Sequence, residues 1–477
     1  MVNKIFFLFL CSGLLTEVFD AQTTTWTLKQ CVDQALEKNV ALNQNKLASD
    51  VNYIAVEQSK ANLLPNLNAT DVQSFYFGRS LDPVSYQYTN QHISTNSPAL
   101  VSTVNLFNGF QYLNTIRQNN YFYDAGVQDI ERMKNDITLL VLAAYVQVLV
   151  GYEAVDIAEN QVQASSINVT RAEIFVKAGK QAEGALFQMQ AQLAADKLTR
   201  VNAQNDLQLA KISLLQLMET PVFAGFEIER PDIKTVQPSL DIPGVSDIYQ
   251  IAEGIMPQVK VSACSTKAFV AGYKVAESLF LPRLSLTGTL KTGYSSFAGR
   301  VSEGTSFQQQ PIGFLQSNPS DQVIGFVPVT TITKSDYPIS NQFSDNFGQI
   351  LGFNLTIPIF NNFQAKYTTQ KAKIGIATAQ LNEQATKNAL RKSVEQAYTD
   401  LVGAGNKYLA TQEQLRSETC AYTDMEKKFS NGMNSATDYL VEKNNYLKAE
   451  QTLVQAKYDY LFKSKVIDFF SGKPITL

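Results

Sequence analysis

Histidine is almost missing from this 477-residue chain, which has one, His92. Histidine-based metal sites and most serine or cysteine nucleophile arrangements need an imidazole, so those chemistries lack their raw material. Charge is sparse as well. Acidic and basic residues make up 17% of the chain, against roughly 25% in ordinary soluble proteins. The 40 basic and 43 acidic residues leave a net charge of −3, and so no cationic field to draw in a phosphate backbone; nucleic acid is not expected as a partner. No Gly-rich phosphate loop, metal-ligand spacing or clustered acid, base and nucleophile set is found. Neither an enzyme nor a bound cofactor or metal is therefore expected.

Cysteines are few: Cys11, Cys31, Cys264 and Cys420. Cys11 falls in an apolar run from Ile5 to Leu15 that follows Lys4 and precedes Val18-Phe19-Asp20-Ala21. That pattern reads as an export signal over residues 1–21, too short to span a bilayer. No lipobox precedes Cys11, so lipidation is not expected. The remaining three cysteines are odd in number and far apart, which is no disulfide framework. The hydrophobic share, 45%, excludes disorder.

The chain repeats itself. Leu64-Pro65-Asn66-Leu67 recurs 217 residues later as Leu281-Pro282-Arg283-Leu284, and Leu106-Phe107-Asn108-Gly109-Phe110 recurs 253 residues later as Ile359-Phe360-Asn361-Asn362-Phe363. The spacing predicts a first repeat over 22–219, a linker over 220–243 marked by Pro221, Pro231, Pro238 and Pro243, and a second repeat over 244–477. The second copy has extra residues in a Gly, Ser, Gln and Pro-rich stretch, Ser296 to Asn346, that reads as a long loop.

After each Phe-Asn landmark, apolar residues recur every seventh position without proline: Val141, Val148, Val155, Val162, Val169 and Val176, then Val394, Leu401, Tyr408, Leu415, Tyr422 and Phe429. Small residues Ala144, Gly151, Ala158, Ser165 and Ala172 run beside the first column. These are coiled-coil seams on very long helices. Gly179 and Gly432 mark turns into a second helix in each copy. The first long helix carries charge throughout, from Arg132 to Arg171, so it is expected to stand in water.

Leu284, Leu286 and Leu290 alternate with Ser285, Thr287 and Lys291, and Leu351, Phe353, Leu355, Ile357 and Ile359 alternate with smaller or polar residues. This period of two reads as strands with one apolar face. Weaker equivalents in the first copy place Leu100, Val104 and Leu106 on one strand and Phe75, Tyr76 and Phe77 at the end of another. Four lipid-facing strands form an open sheet whose edges the bilayer cannot satisfy. Two copies would close eight strands around a filled interior, whereas three would close twelve around a lumen. The alternative without a membrane is a soluble periplasmic coiled-coil adaptor or tether.

Signal, paired Leu-Pro-x-Leu, strands, Phe-Asn-x-Phe and heptad hairpins, in that order and duplicated, resemble the TolC-type outer-membrane efflux proteins over essentially the whole mature chain. The resemblance implies a mixed α and β membrane protein, with long antiparallel coiled-coil helices forming a periplasmic α-barrel and four transmembrane strands per chain completing a 12-stranded trimeric β-barrel. It further implies a homotrimer among outer membrane lipid that acts as the exit duct of a tripartite efflux or type I secretion system, with a periplasmic adaptor and an inner-membrane transporter as partners. The hairpin turns at Gly179 and Gly432 become adaptor-docking points. Phe429, Asn434 and Asp438 become the periplasmic gate, where Asp438 takes the place of the family's first gate aspartate. Val441 stands at the second, with Glu442 adjacent; Asn434 replaces an arginine, and Ala185 an acidic partner, with Glu183 nearby. His92 falls in an external loop.

Overall fold

The computed structural model describes residues 25–81, 86–90, 92–222, 225–231 and 243–475; the export signal and most of the linker lie outside them. The chain divides into two compact units, one of residues 1–51, 122–266 and 379–477, the other of residues 52–121 and 267–378. Eight helices carry most of the structure: α1 (Leu28–Lys38), α2 (Val40–Ala61), α3 (Gln111–Lys177), α4 (Glu183–Leu217), α5 (Val245–Ile255), α6 (Pro257–Glu277), α7 (Gln364–Ser430) and α8 (Ala436–Phe470). Helices α3 and α7 are 67 residues each and α4 and α8 are 35 each, and every boundary recurs at the 253-residue offset of the sequence repeat. At 1.5 Å per residue the longer pair spans about 100 Å.

In the first unit, helix α3 buries Val141, Leu142, Tyr145, Val148 and Leu149 against Leu28, Cys31 and Ala35 of α1 and Leu207 and Leu214 of α4. By length and composition α3 could cross a bilayer, but the α3 residues just named bury their hydrophobic side chains in the core, while Leu140 beside them stays exposed. Burial pushes the Cys31 thiol up to about 12. Further along α3 the half-buried valines give way to the small residues as the tightest contact: Gly151, Ala158, Ser165 and Ala172 are buried. A second core packs Val394, Leu401 and Tyr408 of α7 on Ile248 and Ala252 of α5 and Ala456 and Tyr460 of α8.

The described part of the linker is pinned to the first core. Glu227–Ile228 pairs in parallel with Thr25–Trp26. The Tyr145 hydroxyl donates to the Glu229 carbonyl at 2.8 Å, Tyr152 donates to the Glu227 carboxylate, and Lys211 pairs with Glu227 at 2.9 Å. Arg230 lies 3.8 Å from the centre of the Tyr152 ring.

The second unit holds a four-stranded antiparallel sheet of β1 (Asn66–Thr70), β2 (Ala99–Asn108), β3 (Arg283–Lys291) and β4 (Gly348–Thr356), in the spatial order β4-β3-β2-β1. Its register puts Leu67, Leu100, Val104, Leu284, Leu286, Leu351, Phe353 and Leu355 on one face and Asn68, Thr103, Ser285, Thr287, Asn354 and Thr356 on the other. On the polar face the Thr103 and Thr287 hydroxyls meet at 3.2 Å.

Four expectations need correction. Ile357 and Ile359 lie beyond the end of β4, where Pro358 cannot extend the ladder. A one-residue bulge in β2 sets Phe107, not Leu106, opposite Leu284. Phe75 and Tyr76 belong to a separate strand, Gln73–Tyr76, in a three-stranded sheet with Ile93–Asn96 and Tyr294–Ser295. The break falls at Asp71, whose carboxylate accepts from the Asn96 amide. The stretch read as a long loop contains a β-hairpin, Arg300–Leu315 with Asn318–Ser335, and a short helix, Ile339–Asp345. Its Gln, Ser and Thr content and its prolines hid the alternation.

The Phe-Asn landmark has a physical meaning. Gly109 and Phe110 have φ of 65° and 63°, and Asn362 and Phe363 have 53° and 59°, so each strand enters its long helix through two consecutive left-handed residues. Phe110 then folds edge-on to Phe107 at 5.2 Å, and Phe363 to Phe360 at 5.3 Å. A Cβ on Gly109 would sit 2.7 Å from Leu281 Cβ and 2.8 Å from the Ser278 carbonyl. Gly109→Ala is therefore expected to destabilise the folded protein by about 2 kcal/mol or more, combining left-handed strain with overlap. Asn362→Gly should be close to neutral. Chemical denaturation of the two variants checks this.

Candidate functional site at the hairpin ends

Both hairpins turn on the same backbone device. Gly179 (φ 70°) and Gly432 (φ 74°) follow the ends of α3 and α7, and the next N–H groups reach back, Lys180 to the Phe175 carbonyl and Met433 to the Lys428 carbonyl, each at 2.9 Å. This left-handed closure satisfies the last helical carbonyls and favours glycine. Both glycines have open space around them.

The predicted gate residues share one turn but not one environment. Phe429 is buried and stacks on Tyr439 with ring centres 4.7 Å apart. Asn434 is half-buried and donates its side-chain amide to the Met425 sulfur. Asp438 is exposed; its backbone N–H donates to the Ser435 hydroxyl at 3.1 Å and its carboxylate accepts from that hydroxyl at 2.7 Å, capping the start of α8. At the equivalent start of α4, Ala182 offers no side-chain cap, and Ala185 is half-buried where Asp438 stands in the other copy. Val441 is 55% exposed.

Tyr439 joins the two hairpins. It is fully buried, accepts from the Asn168 amide of α3 at 2.9 Å, and its hydroxyl lies 3.0 Å from that of Tyr422. Tyr422 in turn stacks on Tyr446 at 5.1 Å. Burial pushes the Tyr422 and Tyr439 phenols up, so both stay neutral hydrogen-bonding groups across the physiological range.

One turn further along α8 lies a group that sequence reasoning missed. Lys443 is 2% exposed. Its ammonium donates to the Ser165 hydroxyl of α3 at 2.6 Å and pairs with Asp196 of α4 at 3.3 Å. Asp196 is also buried; it accepts from Ser165 and, at 2.8 Å, from the Gln192 amide. Burial lowers the Lys443 pKa, with Asp196 opposing the shift. Three helices thus meet on one buried ion pair, whose geometry fixes how α8 lies against the first hairpin. Among the described residues no group of three or more His, Cys, Asp or Glu side chains is placed to hold a metal ion.

The whole arrangement has counterparts. The family model described as outer membrane efflux protein matches residues 31–219 and 248–468. The outer membrane protein TolC of Escherichia coli K12 is 20% identical over 462 residues, covering 94% of this chain and 83% of TolC. Among solved structures, CusC superposes with a TM-score of 0.76 at 17% identity, covering 94% of this chain and 92% of CusC. The CmeC outer membrane channel of Campylobacter jejuni gives 0.68 at 18% identity, covering 93% and 85%. Two matched segments spanning most of the sequence, on a fold shared with these channels, show that the chain belongs to the outer membrane efflux protein family.

Proposed function

We propose that the chain assembles as a homotrimer in the outer membrane and serves as the exit duct of a tripartite efflux or type I secretion system. It passively conducts what an inner-membrane transporter delivers through a periplasmic adaptor. The observation that carries this reading is the four-stranded sheet. Leu351, Phe353 and Leu355 are 72%, 68% and 60% exposed on its apolar face, and its outer edges, β4 and β1, have no ladder partner among the described residues. An apolar face suits lipid, but open edges do not, and pairing β4 of one copy with β1 of the next closes them.

The helices support the same assembly. Val40, Leu47, Val51 and Ile54 of α2 and Tyr367, Ile374 and Leu381 of α7 are exposed at heptad spacing. Such columns are seams for neighbouring helices. Purification in mild detergent followed by mass measurement tests the assembly: a trimer is expected, and a monodisperse monomer with intact strand content would overturn it. In this reading Gly179 and Gly432 present the hairpin ends to the adaptor.

The gate of such a duct lies at Phe429, Asn434 and Asp438. Three copies of Asp438 converging on the trimer axis make an anionic constriction that attracts cations at low salt. Asp438→Asn leaves the Ser435 cap of α8 in place and keeps a side-chain oxygen to accept from its hydroxyl, so cation selectivity in planar-bilayer recordings should fall while folding is retained. The same change at Asp424, which pairs with Lys428 at 2.6 Å, should leave selectivity unchanged. Unaltered selectivity in Asp438→Asn would leave that residue with only its hydrogen bonds to the Ser435 cap.

A further inference from the structure

The hairpin between β3 and β4 carries its phenylalanines on one face. Its register puts Phe307, Phe314, Ile324 and Phe326 on one side, where they are 65%, 62%, 60% and 69% exposed. The other face mixes Gln308 and Gln310 with Val323, Val327 and Val329, and there Ile312 folds over Gly325 so closely that an added Cβ would lie 2.5 Å from its Cδ1. The ribbon is also nearly free of charge: no Asp, Glu, Lys or Arg occurs between Gly304 and Ser320 or between Gln322 and Thr333.

An isolated two-stranded ribbon is marginal in water and needs a further layer on its apolar face. Anionic lipid headgroups would call for cations, which this ribbon lacks over nearly all its length. A second copy of the same face needs none. Reach favours it too. The first strand has 16 residues, about 50 Å at 3.3 Å per residue. Twelve strands about 4.8 Å apart and tilted about 40° enclose a barrel about 24 Å across. A ribbon rooted on that rim reaches past the axis. It is also rooted beside β4, the edge strand that pairs with the next copy in the trimer.

We propose that the three ribbons of the trimer pack their Phe307 and Phe326 faces on one another, capping the end of the barrel opposite the long helices. This rests on the trimer reading above, and it adds a contact between copies outside the barrel wall and the helical seams.

The test uses full-length chain in the outer membrane, with Cys31, Cys264 and Cys420 replaced by alanine and one cysteine introduced as Phe326→Cys, Phe307→Cys or Gln308→Cys. Oxidation with copper phenanthroline is expected to link copies through either apolar-face position about tenfold faster than through Gln308→Cys, because the packed faces hold the thiols at high effective concentration. Equal rates at all three positions would overturn the cap, as would an intact trimer, by mass, that forms no link at either apolar-face position. Quenching of a bimane on Phe326→Cys by doxyl-labelled phospholipid would assign the face to the bilayer and overturn it as well. A monomer in the mass measurement would instead remove the trimer reading on which the cap depends.

Discussion

Replacing Phe353 with arginine is expected to cut the yield of assembled outer-membrane protein by at least about tenfold. Phe353 lies midway along β4, opposite Leu286 on the apolar face of the sheet. A cation facing lipid near the midplane costs about 2–4 kcal/mol, and each trimer would carry three. Asn354→Arg, one residue on, places the same charge on the face shared by Ser285 and Thr356, where a wet lumen can solvate it. That variant should assemble nearly as well as the unmodified chain. Quantifying trimer in outer-membrane fractions compares them directly, and equal yields would mean that the faces are reversed.

The second large effect is expected at the buried ion pair. Asp196→Leu leaves the Lys443 ammonium buried with the Ser165 hydroxyl as its remaining contact, and should destabilise the protein by about 3–5 kcal/mol. Lys443→Met should cost less, because the Asp196 carboxylate keeps its donors on Ser165 and Gln192. The double variant, with neither charge, should recover most of the loss. Denaturant titration of the detergent-solubilised protein gives all three values as a double-mutant cycle. Additive losses would show that the two groups do not act as a pair.

Much of this architecture was legible in the sequence because its signals are periodic. The seven-residue columns and the offsets of 217 and 253 located the long helices and their turns, and the alternation of Leu284 to Leu290 located β3 and its apolar face. Readings failed where a periodic signal was interrupted or masked. Asp71 separates β1 from the strand that holds Phe75 and Tyr76, and glutamines and prolines conceal the hairpin. At the site, Gly179 and Gly432 were readable from turn chemistry. Lys443 was not, since a lysine on a helix usually marks a solvated face. A trace of it was present: Asp196 falls seven residues after Met189 and fourteen before Ala210, both buried, so it stands as a carboxylate in an otherwise apolar column. Only the three-dimensional pairing says which cation answers it.

That joint also sets an order of events during folding. Each long hairpin closes through contacts between neighbouring stretches of chain, but Lys443 bonds to Ser165 across 278 residues and Tyr439 to Asn168 across 271. Contacts of such separation carry a large loop-closure entropy and form late. The first hairpin can therefore zip as soon as residue 217 is available, and then wait, with Asp196 still hydrated, until α8 arrives. Desolvation of the ion pair becomes a late step, so its loss should appear mainly as faster unfolding, with little change in the rate at which the hairpins themselves form.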